Sequence, residues 1–223
     1  MKVNYIYHSC FLVETNESYY LFDYYKGELP KLDKDKPIIV FGSHFHPDHY
    51  NSKIFSLLKE IGMNNIFAVL ADDIFKKNYP EGIEVLRVAA NKSYELARGE
   101  KLETLLSTDS GVAFLLTTSE GTIYHAGDLN DWTWEGEGEK DNKEMQANYR
   151  QEIDKLKGRN IDIAFIPLDP RQEQHYAAGM TYFLSTVAVK KVYPMHYWKK
   201  AKLIDKFLQE YPQYTGIVQY TEE

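Results

Sequence analysis

The sequence predicts an α+β fold formed by a single domain over residues 1–223. The chain has 223 residues, of which 43% are hydrophobic and 14% aromatic, enough to bury a sizeable core. Short runs of β-branched and aromatic residues fill its first half, and helical and strand patterns alternate in its last third. It shows no internal repeat, low-complexity tract or linker, so one domain is the simplest interpretation.

The predicted elements follow one another closely. Strands are expected at VNYIY, CFLVE, YYLFDYY and PIIVF, followed by a capped amphipathic helix at NSKIFSLLKEIG. The middle predicts a strand at NIFAVL, a short helix at DDIFKKN, and strands at IEVLRV, KLETLL, GVAFLLTT and GTIYHAG. The last third predicts a polar helix at KEMQANYRQEIDKLK, a buried strand at IDIAFIPL, a helix at AAGMTYFLSTVAV, a strand at KVYPM and a helix at KKAKLIDKFLQEY.

Charge and cysteine content exclude several classes of protein. The formal net charge of -7 argues against a broad surface for nucleic acid or anionic membranes, because those partners favour clustered Lys and Arg. Cys10 is the only cysteine, so a bound metal must rely on imidazole and carboxylate. No stretch reaches membrane-spanning length, and the N-terminus has no unbroken apolar core. We therefore predict a cytoplasmic protein without a nucleic-acid or membrane partner; its oligomeric state stays open.

The most informative stretch is SHFHPDH, residues 43–49. His44 and His46 are two positions apart, so in an extended segment their side chains point to the same side and can bind one ion. The proline turns the chain, which lets Asp48 and His49 face a second ion. Two neighbouring ions can acidify a shared water and hold substrate oxygens. A solvated loop or a fortuitous metal patch is the alternative interpretation.

The motif HFHPDH resembles the HxHxDH motif of the metallo-β-lactamase superfamily. Further landmarks occur in the expected order: Asp23 matches the aspartate that buttresses the metal loop, Asp128 the bridging aspartate, and His196 the late histidine of the second ion. The resemblance implies a four-layer αβ/βα sandwich with the metal site at one edge of the paired sheets. HSCFLVE and TIYHAGD are similar to the branch related to ascorbate-6-phosphate lactonase.

One ligand position departs from the superfamily pattern. A further histidine is expected before GVAFLL, but the chain has LLSTDSG there, with Asp109 near the expected position. Asp109 either replaces the histidine as a ligand, since carboxylates bind zinc and suit manganese or iron, or caps the turn. With Asp109 bound, the resemblance implies two divalent ions, zinc first and manganese or iron as alternatives. Their ligands would be His44, His46, Asp48, His49, Asp109, Asp128 and His196.

Substrate contacts are predicted in two later segments. Arg171 in PLDPR either grasps a phosphate or carboxylate through two parallel hydrogen bonds or pairs with Asp169 to shape its loop. Trp132 and Trp134, just after the bridging aspartate, predict a pocket wall or lid, although both could pin the loop to the core instead.

Three histidines lie outside the motif and its landmarks. We interpret His8 in HSC as a hydrogen-bonded core residue that joins two strands, with the edge of the site as the alternative. His125 is predicted to be structural, with orientation of a ligand as a further role. His175 is predicted at the surface, with a place in the substrate pocket beside Arg171 as the alternative.

The sequence thus predicts a metal-dependent hydrolase. A metal-bound hydroxide would attack a small ester, lactone or phosphorylated metabolite, and Asp48 would orient it and take or pass its proton. A phosphodiesterase or nuclease of the same superfamily is the first alternative, which the acidic charge opposes. A metal-poor, non-catalytic binding protein is the second, because the altered position at Asp109 could weaken the first ion.

Overall fold

The computed structural model describes residues 1–220 and divides into two compact units. The N-terminal unit comprises Met1–Ala89, and the C-terminal unit begins at Ala90. Each unit contains one six-stranded mixed sheet together with helices. These elements confirm the predicted α+β class, while the assignment of all residues to a single domain stays a prediction.

The N-terminal unit forms its sheet from consecutive strands in the order β1-β2-β3-β4-β5-β6. The first three strands are antiparallel, and β3 to β6 run parallel. Helix α1 lies between β4 and β5 in the chain. The bounds are β1 Lys2–Tyr7, β2 Cys10–Glu14, β3 Tyr19–Phe22, β4 Ile38–Gly42, α1 Lys53–Glu60, β5 Ile66–Ala71 and β6 Glu84–Val88.

Alternate residues of these strands and the apolar face of α1 form one core cluster. Leu12, Leu21 and Val40 belong to this cluster with Ile54 and Leu58 of the helix, and each is at most 1% exposed. Burying a side chain of this size contributes about 1.5–3 kcal/mol. This packing fixes α1, and with it the loop that joins β4 to the helix.

The C-terminal unit forms its sheet in the order β12-β11-β10-β9-β8-β7. Strands β7 to β10 are antiparallel, and β10 to β12 run parallel. The bounds are β7 Ser93–Glu95, β8 Lys101–Leu106, β9 Val112–Thr118, β10 Gly121–His125, α2 Glu139–Asp154, β11 Asn160–Pro167, α3 Ala178–Thr186, β12 Ala188–Met195 and α4 Lys202–Glu210. No helix among residues 1–220 combines the length and apolar character needed to cross a bilayer.

The structure corrects two predicted elements. DDIFKKN forms only a 3-10 turn over Lys76–Asn78, because so short a segment gains few helical hydrogen bonds for the cost of nucleation. The helix predicted over AAGMTYFLSTVAV ends at Thr186, and Val187 is already extended with φ -116° and ψ 131°. The β-branched residues that follow favour a strand, so β12 starts at Ala188.

Candidate metal centre

The predicted metal loop lies at one edge of the N-terminal sheet. Residues 43–49 follow β4, and Asp23 directly follows β3. Since β3 and β4 are parallel, their carboxyl ends adjoin. Strand β2 runs antiparallel to β3, so the β1–β2 turn that carries His8 lies at the same edge. The topology therefore brings His8, Asp23 and the loop to one edge of the sheet.

Asp23 is a fully buried carboxylate that ties this loop together. Its Oδ1 accepts the Ser43 backbone N–H at 2.8 Å, and its Oδ2 accepts the Ser43 hydroxyl at 2.6 Å and His49 Nδ1 at 2.7 Å. Hydrogen bonds to an ionised carboxylate are about twice as strong as neutral ones. Asp23 thus has the buttressing position that the superfamily resemblance implies.

Two histidines of the loop have their tautomers fixed by these contacts. The Ser43 hydroxyl donates its hydrogen to Asp23, so it accepts from His44 Nδ1 at 2.9 Å. The carboxylate of Asp23 likewise accepts from His49 Nδ1. In both neutral rings Nε2 then carries the lone pair. Metal-binding histidines are commonly oriented by such a partner on the other ring nitrogen.

The N-terminal unit brings its donor atoms together in two groups. The donor nitrogens of His44 and His46 lie within 4.8 Å of each other, as do the donor atoms of His8, Asp48 and His49. The rings of His44 and His46 meet edge to face with centroids 4.7 Å apart. These two histidines therefore lie on one side of the chain, as their spacing predicts.

The structure corrects the interpretation of His8 as a residue that joins two strands. The buried ring lies instead against the metal loop, with Nε2 3.5 Å from Asp48 Oδ2 and its centroid 5.9 Å from that of His49. The sequence offered one signal, the histidine in a turn between two short strands. The pairing that brings this turn to the loop depends on the order of the strands in the sheet.

The C-terminal unit places three predicted ligands, Asp109, Asp128 and His196, at one edge of its sheet together with Asp169. Asp128, Asp169 and His196 follow the three parallel strands β10, β11 and β12, whose carboxyl ends adjoin. Strand β9 is antiparallel to β10, so the β8–β9 turn that carries Asp109 lies at the same edge. Four separate segments of the chain thus contribute to this edge.

His196 lies between two carboxylates. Its Nδ1 is 3.2 Å from Asp169 Oδ2, and its Nε2 is 3.0 Å from Asp128 Oδ1. Burial disfavours the charged form of Asp169, but hydrogen bonds from His196 and Arg171 outweigh this and hold the pKa of that carboxyl well below its usual range. An ionised Asp169 keeps the proton on Nδ1. The lone pair on Nε2 then faces a carboxylate oxygen, which a shared cation would stabilise.

The residues present fit a divalent metal ion. His44, His49 and His196 each direct Nδ1 to an oriented oxygen partner and offer Nε2 as a donor. Imidazole nitrogen and carboxylate oxygen are ligands of zinc, iron and manganese. The chemistry of the donor sets in the two units therefore agrees with the predicted metals.

Asp109 occupies a tight turn and the wall of a cavity. Its backbone N–H donates to the Ser107 hydroxyl at 3.2 Å. The cavity has a volume of about 290 Å³, and its lining includes Asp109, Asp128 and Arg171. Among the described residues, Asp109 is not in a group of three or more donors whose atoms lie within 4.8 Å of one another. Its role as a ligand stays a prediction.

The two predicted tryptophans also line this cavity. Trp132 donates its indole N–H to the Asp128 backbone carbonyl at 2.8 Å, and its ring stacks on Trp134 at a centroid distance of 5.9 Å and an interplanar angle of 4°. Trp132 thus holds the loop after Asp128 in place, which was the alternative interpretation of the sequence. Both indole rings also form part of the apolar wall of the cavity.

Arg171 forms the predicted ion pair with Asp169. Its Nε and Nη2 both donate to that carboxylate, at 3.0 and 2.5 Å. The guanidinium lies 5.0 Å from the ring centroid of Trp198, whose indole N–H also donates to Asp169, at 3.3 Å. The sequence interpretation did not include Trp198, because its place beside Asp169 depends on the loop after β12. The Arg171 side chain is nevertheless 53% exposed and reaches the cavity.

His125 has the structural role that was predicted. It is fully buried, and its Nδ1 accepts the Gly127 backbone N–H at 3.1 Å. This contact turns the chain directly before Asp128. His175 is half-buried in the segment after Arg171.

Comparison with known protein families agrees with this fold. The family model described as a β-lactamase superfamily domain matches residues 2–139, more than half of the chain. The chain therefore belongs to the β-lactamase superfamily.

Solved structures show the same metallo-β-lactamase fold. Igni18, a metallo hydrolase from the hyperthermophilic archaeon Ignicoccus hospitalis, is 15% identical with a TM-score of 0.67 over 99% of this chain and 94% of that chain. A candidate metal-dependent hydrolase from Parabacteroides distasonis is 18% identical with a TM-score of 0.62 over 99% and 93%. CmlA, a diiron β-hydroxylase from Streptomyces venezuelae, is 11% identical with a TM-score of 0.62 over 97% of this chain and 52% of that chain.

Proposed function

We propose that the protein is a metal-dependent hydrolase that acts on a small ester, lactone or phosphorylated metabolite. The observation that carries the proposal is the orientation of His44, His49 and His196, each held at Nδ1 so that Nε2 is available. Burying and orienting three imidazoles beside carboxylates costs stability, and metal binding would offset that cost. The descriptions of Igni18 and of the Parabacteroides distasonis protein as hydrolases support the same reaction class.

We further propose that the chain holds two divalent ions. Membership of the superfamily supports this arrangement, and zinc is the first choice because imidazole and carboxylate suit it. Iron and manganese are the alternatives, and CmlA is described as a diiron enzyme. The proposed ligands are His44, His46, Asp48, His49, Asp109, Asp128 and His196.

The bound ions, the ligand Asp48 and the nearby Arg171 would have distinct roles in the reaction. Bound ions would supply an acidified water and stabilise negative charge that develops on the substrate. Asp48, whose side chain is 32% exposed, would orient the attacking water and take or pass its proton. Arg171 would bind an anionic group of the substrate, because Asp169 fixes one edge of its guanidinium while half of the side chain stays exposed.

The size of the cavity supports a small substrate. Its volume of about 290 Å³ is at the lower end of the range for small-molecule sites, and Trp132 and Trp134 provide apolar wall. The similarity of HSCFLVE and TIYHAGD to the ascorbate-6-phosphate lactonase branch favours a lactone or a phosphorylated metabolite. The cytoplasmic location stays a prediction of the sequence.

Metal analysis of protein purified without chelators tests this proposal directly. We expect two equivalents of zinc, manganese or iron per chain, and hydrolysis of at least one member of a panel of lactones, phosphomonoesters and carboxylic esters. Asp48→Asn is expected to lower that activity at least about 100-fold, because loss of a positioned proton acceptor typically costs 10²–10⁴-fold. Absence of metal after supplementation would sink the proposal. Cleavage of phosphodiesters alone would favour the nuclease, and bound metal without any turnover would favour a binding protein.

Substitution of Asp109 tests the altered ligand position separately. If the carboxylate is a ligand, Asp109→Ala is expected to weaken binding of one zinc ion about 10–100-fold or more, and Asp109→His to restore it. Competition with a chromophoric chelator measures both affinities. Ser107→Ala is the matched control, because it removes the turn hydrogen bond to the Asp109 N–H and leaves the carboxylate in place. Equal zinc affinity in all four proteins would assign Asp109 to the turn alone.

A further inference from the structure

We infer that His8 is an additional metal ligand, which would bind the same ion as Asp48 and His49. The inference rests on the proposed metal centre but goes beyond the ligand set that the superfamily pattern implies. His8 is 4% exposed and occupies the two-residue turn between β1 and β2. The turn places one of its ring nitrogens and the donor atoms of Asp48 and His49 within 4.8 Å of one another.

The distance between His8 and Asp48 fits two ligands of one ion better than a hydrogen bond. His8 Nε2 and Asp48 Oδ2 are 3.5 Å apart. A strong hydrogen bond between such groups spans about 2.7–3.2 Å. By contrast, two ligand atoms bound about 2.1 Å from a zinc ion at the tetrahedral angle are about 3.4 Å apart. The separation thus has the length of one edge of a coordination tetrahedron.

The backbone of the turn holds His8 in this position at some cost. His8 has a φ of 57°, in the left-handed region that non-glycine residues rarely adopt and that costs about 1 kcal/mol or more. Its backbone N–H donates to the Tyr5 hydroxyl at 2.8 Å, which fixes the turn. The ring of His49 faces the His8 ring edge-on at 5.9 Å. Strain of this kind at a buried imidazole beside two metal-binding side chains is typical of a functional position.

The consequence is a three-donor set formed by the N-terminal unit alone. His8, Asp48 and His49 supply two imidazoles and one carboxylate, a combination that binds zinc and also divalent iron. His8 would thus add an imidazole to the ion of Asp48 and His49. The histidine that the chain lacks belongs to the other ion, which depends on Asp109. The ion held by this set is expected to bind more tightly than the ion that depends on Asp109.

Nuclear magnetic resonance of the cadmium-loaded protein tests the bond itself. The full chain contains seven histidines, which can be labelled with nitrogen-15 in their rings. After loading with cadmium-113, each coordinated nitrogen shows scalar coupling to the metal. We expect one coupled ring-nitrogen signal from each of five residues: His8, His44, His46, His49 and His196.

His8→Asn assigns the additional signal, because asparagine tolerates a positive φ better than most residues. We expect loss of one coupled signal, retention of the others, and at least about tenfold weaker cadmium and zinc binding. His175→Asn is the matched control and is expected to retain all coupled signals; backbone amide spectra check that both variants fold. Coupling in wild type that is unchanged by His8→Asn would overturn the inference and leave the metal centre intact. A wild type without any coupled histidine would overturn the proposed metal centre as well.

Discussion

Replacing Asp23 with alanine is expected to lower the free energy of unfolding of the metal-free protein by about 3–5 kcal/mol. The carboxylate is fully buried and accepts hydrogen bonds from the Ser43 N–H, the Ser43 hydroxyl and His49 Nδ1. Alanine would leave these three donors buried beside a small cavity. His44 is expected to lose its orientation too, because the hydroxyl that accepts from its Nδ1 is itself held by Asp23.

The same change is expected to weaken zinc binding about 10–100-fold or more, since partners that orient ligands typically contribute that much. Denaturant unfolding in the presence of a chelator measures stability, and zinc titration measures affinity. Asp23→Asn separates the two effects, because it keeps the volume but presents an amide N–H₂ to donors. Asp23→Asn is expected to lower the free energy of unfolding less than Asp23→Ala does. It is expected to weaken zinc binding by a similar factor. Asp35→Ala, at an exposed position, is the control. Equal stability of Asp23→Ala and Asp35→Ala would contradict the role given to Asp23.

Most of the fold was predictable from the sequence because the strands are short, apolar and separated by turns. The β-branched runs at Ile38–Gly42 and Ile66–Ala71 are strands as expected. The errors occur where the local pattern is ambiguous. In AAGMTYFLSTVAV the apolar residues fit both a helix and a strand, and only pairing of β12 with β11 decides where the helix ends.

The site was harder to predict from the sequence than the fold, because it depends on strand order and on unusual backbone conformations. The spacing in SHFHPDH indicates local metal ligands, but the contact of His8 with Asp48 depends on the strand order of the sheet. Residue propensities also fail to predict the backbone conformation at these positions. Asp23, His8 and His196 have φ values of 47°, 57° and 66°, a region that sequence rules assign to glycine. Such conformations persist where tertiary contacts enforce them, so a single sequence does not reveal them.

Replacing Gly179 with alanine is expected to lower the free energy of unfolding by about 2–3 kcal/mol. The added Cβ would lie 1.9 Å from Asn130 Oδ1 and 3.1 Å from the Asp131 backbone nitrogen. Alanine favours a helix over glycine by about 1 kcal/mol. The clash outweighs this gain, because Asn130 cannot move without breaking its buried hydrogen bond to Gln172, which spans 3.0 Å.

Thermal unfolding measures the effect, and a loss of 2–3 kcal/mol corresponds to about 5–10 °C in a chain of this length. The control is Gly136→Ala, whose Cβ would meet no atom within 4 Å.

A double-mutant cycle with Asn130→Ala identifies the cause, because removing the amide removes the closest contact. In that background Gly179→Ala is expected to be much less destabilising. Asn130 follows Asp128 by two residues and its N–H donates to the Thr108 hydroxyl at 3.0 Å, so the clash is also expected to displace Asp128 and weaken zinc binding. An equal loss of stability with and without the Asn130 amide would show that the close approach of these two segments is not what glycine permits here.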